Sequence, residues 1–323
     1  MTRILVTGAG GFIGHHLVTD LKRQGHWVRG VDIKRPEYTG SAADEFMLLD
    51  LREPANAHAA TDGVAHVYAL AADMGGMGYI SAHHGLILHN NSLINLNTLE
   101  AARANGVSRY LYSSSACVYP EYKQTEAAVT ALKEDDAYPA QPQDAYGWEK
   151  LVTERLCTHY REDYGIETRI VRFHNIYGPL GTWDGGREKA PAAMCRKVAT
   201  AKLTGQREID IWGDGEQTRS FCYIGDCLEG VKRLMASDHG EPLNLGSAGH
   251  DQPARRHRLR DRRRLAAQAA HPRPAGRART QLRQHTAAPG ARMGAADHAR
   301  GGVGQTYRWI EQQVQQKLST PAR

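Results

Sequence analysis

The stretch Gly8-Ala-Gly-Gly-Phe-Ile-Gly14 constrains this chain most. It follows Ile4-Leu-Val6, an apolar run of the kind that forms a strand buried on both faces. A helical pattern then runs through His15–Gly25, with apolar Leu17 and Leu21. Strand, glycine turn and helix in that order aim backbone N–H groups and a helix N-terminus at a diphosphate. Gly8 permits the tight turn, Gly11 lets the backbone approach the phosphates, and Gly14 lets helix and strand pack closely. Phe12 and Ile13 sit between them, at the helix start, and are expected to touch the same ligand. Such a motif recurs by chance, so its meaning rests on the residues downstream of it.

Asp32 follows at the end of a second strand, Trp27-Val-Arg-Gly-Val31. A carboxylate there accepts both hydroxyls of an adenosine ribose and repels a 2′-phosphate, so NAD is the expected cofactor over NADP, against the pull of nearby Lys34 and Arg35. A third strand, Phe46-Met-Leu-Leu49, ends at Asp50-Leu51, placed to meet the adenine; the plainer role for Asp50 is to end the strand in a turn. Strands at His66–Leu70, Tyr110–Ser114 and Thr168–Arg172 alternate with helices at Asn91–Asn105 and Ala145–Tyr164. The expected fold class is therefore α/β, a doubly wound parallel sheet of the Rossmann type, with a smaller C-terminal substrate lobe. Residues 1–177, rejoined by 220–247, are expected to form the NAD-binding domain, and 178–219 with 248–323 the lobe.

Tyr146-Gly-Trp-Glu-Lys150 places a Tyr and a Lys four apart on one helix face. A lysine ammonium there can lower the pKa of the phenol. A phenolate so tuned takes the proton from a sugar hydroxyl as a hydride leaves the same carbon, while a Ser at a strand end, such as Ser115, holds that hydroxyl. Alone, this spacing is common and usually marks an aromatic–aliphatic contact. Cys117, two residues past Ser115, points to the same side if the strand stays extended. A lone Cys is more often a small buried apolar side chain.

Gly8–Gly14, Asp32, Asp50-Leu51, Ser114-Ser115 and Tyr146–Lys150 together resemble the extended short-chain dehydrogenase/reductase family. Longer strings resemble its members that epimerise GDP-mannose at C3 and C5: Ala72-Asp-Met-Gly-Gly-Met-Gly78, Ser114-Ser-Ala-Cys-Val-Tyr-Pro-Glu121, Arg172-Phe-His-Asn-Ile-Tyr-Gly-Pro179, Gly185-Gly-Arg-Glu-Lys-Ala-Pro191 and Trp212-Gly-Asp-Gly-Glu-Gln-Thr-Arg-Ser220. The resemblance covers residues 1 to about 248 and resumes near 303. It implies an NAD-dependent isomerase, a nucleotide-sugar 3,5-epimerase, in which C4 is transiently oxidised so that C3 and C5 become acidic. Tyr146, Lys150 and Ser115 would handle C4, and Cys117 and Lys189 the two inversions. Tyr146 and Lys150 would also touch NAD. Lys197 and Arg219 are candidates for the substrate diphosphate, Gly75, Asn175 and Glu188 for sugar hydroxyls or main-chain anchoring, and Gln217 for the nucleotide. Each has a bland counterpart: Asn175 capping a turn, Lys189 a solvated charge, Arg219 pairing with Asp214. A homodimer through the helices Asn91–Asn105 and Ala145–Tyr164 is implied as well. A nucleotide-sugar 4-epimerase or 4,6-dehydratase is the alternative enzyme, having no need of Cys117 and Lys189 together.

The formal charge of +6 misleads. Residues 251–300 hold thirteen Arg against three Asp, without Lys or Glu, while the rest of the chain carries 28 basic and 32 acidic residues. The block has no Val, Ile, Phe, Tyr, Trp or Cys and can supply little core. Such a block reads as an unfolded or nucleic-acid-binding segment. Another origin fits better. Shifting the reading frame by one nucleotide from about His271 permits a string containing Leu-Gly-Trp-Glu-Pro that is similar to the family's C-terminal part. Met293-Gly294 must be encoded ATG-GGN, which forces that Trp one frame over. A paired frameshift between about Gly249 and Gly302 would disrupt the lobe and remove the arginine with which the family binds the diphosphate; an inactive NAD-binding remnant is then the alternative to an active enzyme. No nucleic acid is therefore expected as partner; a GDP-sugar is. Five cysteines without CxxC spacing, no leader-like segment and no long apolar run fit a cytoplasmic chain without a metal site or a membrane span.

Overall fold

A computed structural model describes residues 1–75, 77–123, 131–210, 220–246, 281–282 and 295–320. Nearly all of the Arg-rich block, together with Gln217 and Arg219, lies outside the described residues. In chain order the elements begin with β1 (Arg3–Thr7), α1 (Phe12–Arg23), β2 (Trp27–Asp32), β3 (Glu45–Leu48), α2 (Pro54–Thr61) and β4 (His66–Ala69). Then come α3 (Met77–Ala82), α4 (His84–Ala104), β5 (Arg109–Ser115), β6 (Ala131–Leu132), α5 (Ala145–Tyr164) and β7 (Glu167–Phe173). They continue with β8 (Ile176–Tyr177), α6 (Ala190–Thr204), β9 (Cys222–Tyr223), α7 (Ile224–Ala236), β10 (Pro242–Leu245), β11 (Gln281–Leu282) and a last helix, Ala295–Ser319.

The chain divides into two compact units. The first comprises Met1–Pro120, Glu134–His174 and Ile224–Leu245. Its parallel sheet runs β10-β7-β5-β4-β1-β2-β3. The strand order reverses between β1 and β4, so a crevice opens beyond their C-terminal ends, and the glycine turn after β1 lies at that point. The doubly wound sheet is the one expected. Its central strands carry continuous apolar runs because helices cover both faces: Ile4, Leu5, Val6, Tyr110, Leu111 and Tyr112 are all buried. Each such aliphatic side chain contributes about 1.5–3 kcal/mol. Val31, Val67, Leu99, Ala102 and Cys157 join one continuous core.

Asp144 and Gly165 set the limits of α5. The Asp144 carboxylate accepts from the Gly147 N–H at 2.8 Å, capping the first turn, and Gly165 stops the last turn in the left-handed conformation. Helix α4 begins at His84, seven residues before the expected start at Asn91. Leu86 and Leu88 are exposed there, while Ile87 between them is buried.

The second unit comprises Glu121–Lys133, Asn175–Tyr223 and Gly246–Arg323. Parallel bridges join β8 to β9 and β6 to β11. Helix α6 and the last helix share a core of Ala192, Cys195, Ala199, Ile310 and Val314, flanked by Trp183, Tyr307 and Trp309. The last helix starts at Ala295, ahead of residue 303, near which the family resemblance resumes; Ala295, Ala296 and Ala299 are strong helix formers.

Candidate active site

The nucleotide end of the first unit is built by the β1–α1 turn. Gly8 is left-handed (φ 67°), and a Cβ on Gly14 would overlap the carbonyl oxygen of Gly8. Gly14 is therefore needed for α1 to start this close to its own turn. Gly11 caps α1 without a side-chain hydrogen bond, and the first turn has no acidic residue, so its N–H donors and dipole suit an anion. Phe12 and Ile13 follow in that first turn, and Phe12 packs edge-on against His16. At the end of β2, Asp32 accepts one N–H from Gly10 at 2.9 Å and another from Lys34 at 3.1 Å. These bonds hold the carboxylate in place and leave lone pairs for ribose hydroxyls. Arg35 lies over the Phe46 ring. An uncapped helix start, a turn with no room for side chains and an oriented Asp32 fit NAD.

Asp50 accepts from the backbone N–H of Arg52 at 3.0 Å and pairs with its guanidinium, which holds the carboxyl below its ordinary pKa. The residue therefore ends β3 in a turn, while the Leu51 side chain is buried in the core.

The chemical end lies at the C-terminus of β5. Here the expectation for Cys117 needs correcting. The strand does not stay extended: Ala116–Val118 form a 3-10 turn, because Ser115 Oγ accepts the Cys117 N–H at 3.2 Å and caps it. That turn, and not strand alternation, sets where Cys117 lies. Cys117 packs with Tyr79 against Ile80, Ile87 and Tyr146. Tyr146 hydrogen-bonds to Ser115. A Cβ on Gly147 would overlap the Cys117 carbonyl oxygen, so this glycine lets α5 lie directly on the turn. Ser115, Cys117, Tyr146 and Lys150 are thus brought together.

Lys150 is buried. Its ammonium donates to the Ser113 carbonyl at 2.9 Å and lies 4.8 Å from the Tyr112 ring centre and 5.4 Å from that of Tyr146. Burial pulls its pKa down, and neighbouring Glu149 opposes that. The Tyr146 phenol stands well above its ordinary pKa, opposite to the direction expected from Lys150. Burial is the first cause and the Cys117 and Glu149 charges add to it. Gly75 follows β4 closely, with the Tyr79 ring against it.

In the second unit, Asn175 has φ 45° and anchors main chain: its side chain donates to the Ser220 carbonyl at 3.0 Å, and its own carbonyl accepts from Cys222 N–H. Lys189 caps α6. Glu188 takes Arg196 at 2.6 Å on one oxygen, while its other oxygen is buried without a hydrogen-bond partner. Lys197 donates to the Asp210 carbonyl.

Sequence reasoning missed Gly10, Asn91, Tyr112, Gly147 and Glu149. For Gly147 and Glu149 the signal was adjacency to Tyr146 and Lys150. Gly10 lies inside the glycine motif, and Asn91 and Tyr112 gave no signal. Among the described residues no group of His, Cys, Asp and Glu could hold a metal ion, and all five cysteines are free. No described helix is long and apolar enough to cross a membrane.

Residues 4–246 match the NAD dependent epimerase/dehydratase family. Among curated proteins, the GDP-mannose 3,5-epimerase of Arabidopsis thaliana is 56% identical over 247 residues, 76% of this chain. GDP-mannose 3,5-epimerase 1 of Oryza sativa subsp. japonica is 57% identical over the same length. The match spans 64% of each relative's length. Among solved structures, the UDP-glucose 4-epimerase of Thermotoga maritima with UDP-glucose superposes with a TM-score of 0.74 at 20% identity, over 97% of this chain and 99% of that one, a likeness of fold.

Proposed function

This chain belongs to the NAD-dependent epimerase/dehydratase family, and we propose that within it the chain inverts GDP-mannose at C3 and C5. The observation that carries this reading is the cluster of Ser115, Cys117, Tyr146 and Lys150 at the end of β5, in a chain 56% identical to a GDP-mannose 3,5-epimerase. A thiol beside the Ser–Tyr–Lys group is what a 3,5-epimerase needs and a 4-epimerase does not.

Gly8, Gly11, Gly14 and Asp32 hold NAD by its diphosphate and ribose, with Phe12, Ile13, Asp50 and Leu51 around it. The chemistry supplied by bound NAD is reversible acceptance of the C4 hydride, leaving a ketone that acidifies C3 and C5. Ser115 Oγ and Tyr146 Oη hold the C4 hydroxyl and move its proton, and the Lys150 ammonium stabilises the phenolate. Cys117 Sγ removes the proton from C3 or C5, and Lys189 Nζ delivers one to the opposite ring face. Glu188, Asn175 and Gly75 position the sugar, and Lys197, Gln217 and Arg219 its nucleotide diphosphate. The first unit is thus the cofactor domain and the second the substrate lobe.

Two chains pair through α4 and α5, where Leu88, Leu96, Trp148 and Val152 leave apolar side chains exposed. Free thiols throughout fit a reducing cytoplasm.

The test is incubation of the full chain with GDP-mannose and NAD in tritiated water. Label at two sugar carbons, with epimerised GDP-hexoses as products, is expected. Label at no carbon, or a product inverted at C4 alone, would defeat the reading.

A further inference from the structure

Glu149 neighbours Lys150 in sequence but points elsewhere. Its side chain is buried, and among the described residues it meets only neutral donors: Asn91 at 3.2 Å, Asn95, Tyr112 Oη at 3.0 Å and Thr153. A carboxylate buried without a hydrogen-bonded cation is costly, and its field is little screened in such surroundings. The nearest use for that field is Lys150. One ring joins them: Tyr112 gives its hydroxyl to Glu149 and its face to the Lys150 ammonium. Donating to a carboxylate enriches the ring face in electron density, which strengthens its attraction for a cation. Asn91 extends the chain of contacts. Its side chain also accepts from Asp73 N–H at 2.6 Å and donates to the Asp73 carbonyl, so Glu149 is tied to the loop after β4 that carries Gly75.

We propose that Glu149 is a positioning residue for Lys150: its buried carboxylate, linked to the lysine through Tyr112, keeps Lys150 an ammonium and fixed in place. The proposal rests on Lys150 serving the NAD site. Burial alone drives the lysine toward its neutral form, and Glu149 is the largest opposing influence, ahead of Cys117, Glu154 and Cys157. The other groups facing Lys150 are Tyr146 on its own helix and Tyr112 on β5; Arg172 of β7 is bound to Glu154. No other fixed positive charge among these groups can replace the ammonium.

The experiment is NAD titration of the full chain, followed by quenching of tryptophan fluorescence, across about pH 6 to 10. The unaltered chain should keep its neutral-pH affinity well into the alkaline range. Glu149→Gln, which keeps the shape and removes the charge, should bind NAD about tenfold more weakly at the alkaline end than at neutral pH. Tyr112→Phe, which keeps the carboxylate but removes the hydroxyl that ties it to the ring, should lose affinity at the alkaline end in the same direction and by less. A Glu149→Gln profile parallel to wild type, or both variants weakened alike at every pH, would overturn the proposal and leave Glu149 a structural residue. If Glu149→Gln does not fold, the unaltered chain decides: affinity already falling across neutral pH means that Lys150 is not held charged, and overturns the proposal. A chain that binds no NAD at any pH would overturn the cofactor assignment as well.

Discussion

Arg172 and Glu154 face each other through two hydrogen bonds, at 2.8 and 2.6 Å, with almost none of either side chain reaching solvent. Arg172 also donates to the Tyr119 hydroxyl and the Glu134 carbonyl, and Ser114 donates to Glu154. Tyr119 in turn bonds to Asn244, which bonds to His174. The pair therefore ties β5, α5, β7 and β10 together. Glu154→Leu leaves Arg172 buried and unpaired, and should destabilise the chain by about 3–5 kcal/mol in a urea unfolding series. A change under about 1 kcal/mol would mean that water reaches the guanidinium.

Gly147→Ala tests the contact between α5 and the 3-10 turn. The added methyl has no room against the Cys117 carbonyl, so helix or turn must move. Epimerisation should fall at least about 100-fold, since displacements near 1 Å cost that much in a positioned site. NAD affinity, measured by fluorescence quenching, should change far less, because Gly8–Gly14 are untouched.

Cys117→Ala separates the two parts of the proposed chemistry. NAD binding and reversible C4 oxidation, followed as transient NADH absorbance, should persist. Tritium exchange at C3 and C5 should fall by about 100-fold or more, the usual contribution of a positioned base. Unchanged exchange would remove Cys117 from the mechanism.

His15 supplies a pH dependence. It is buried with Thr39 on one ring nitrogen, and burial, reinforced by His16, holds its pKa below the ordinary 6.5. The unfolded chain thus binds the proton more readily, so this contribution to stability is full above pH 6.5 and is lost as pH falls through the folded value. His66 shifts the same way, by burial first and then by Arg109. Thermal midpoints should fall as pH drops below 6.5, and His15→Gln should make that slope shallower. An unchanged slope would exclude His15 as a source.

The sheet was legible because its signals are local. Ile4-Leu-Val6, the glycine turn and Asp32 declare β1, α1 and β2 within thirty residues, and Tyr146 with Lys150 needs only helix periodicity. Cys117 shows the limit. Its place follows from whether Ser115 Oγ caps a turn, a choice made by one hydrogen bond that spacing cannot reveal. The Tyr146 phenol was misjudged for a similar reason: the charge of Lys150 is visible in sequence, but the burial that outweighs it is a property of the folded crevice. Glu149 went unread because its partners on α4, Asn91 and Asn95, are more than fifty residues away.

The last helix and α6 bury one seam between them, with Ile310 and Val314 against Ala192, Cys195 and Ala199. A polypeptide cut at residue 246 would keep its glycine turn and Tyr146 yet strip that seam of its cover. The truncated product should self-associate and be recovered as aggregate.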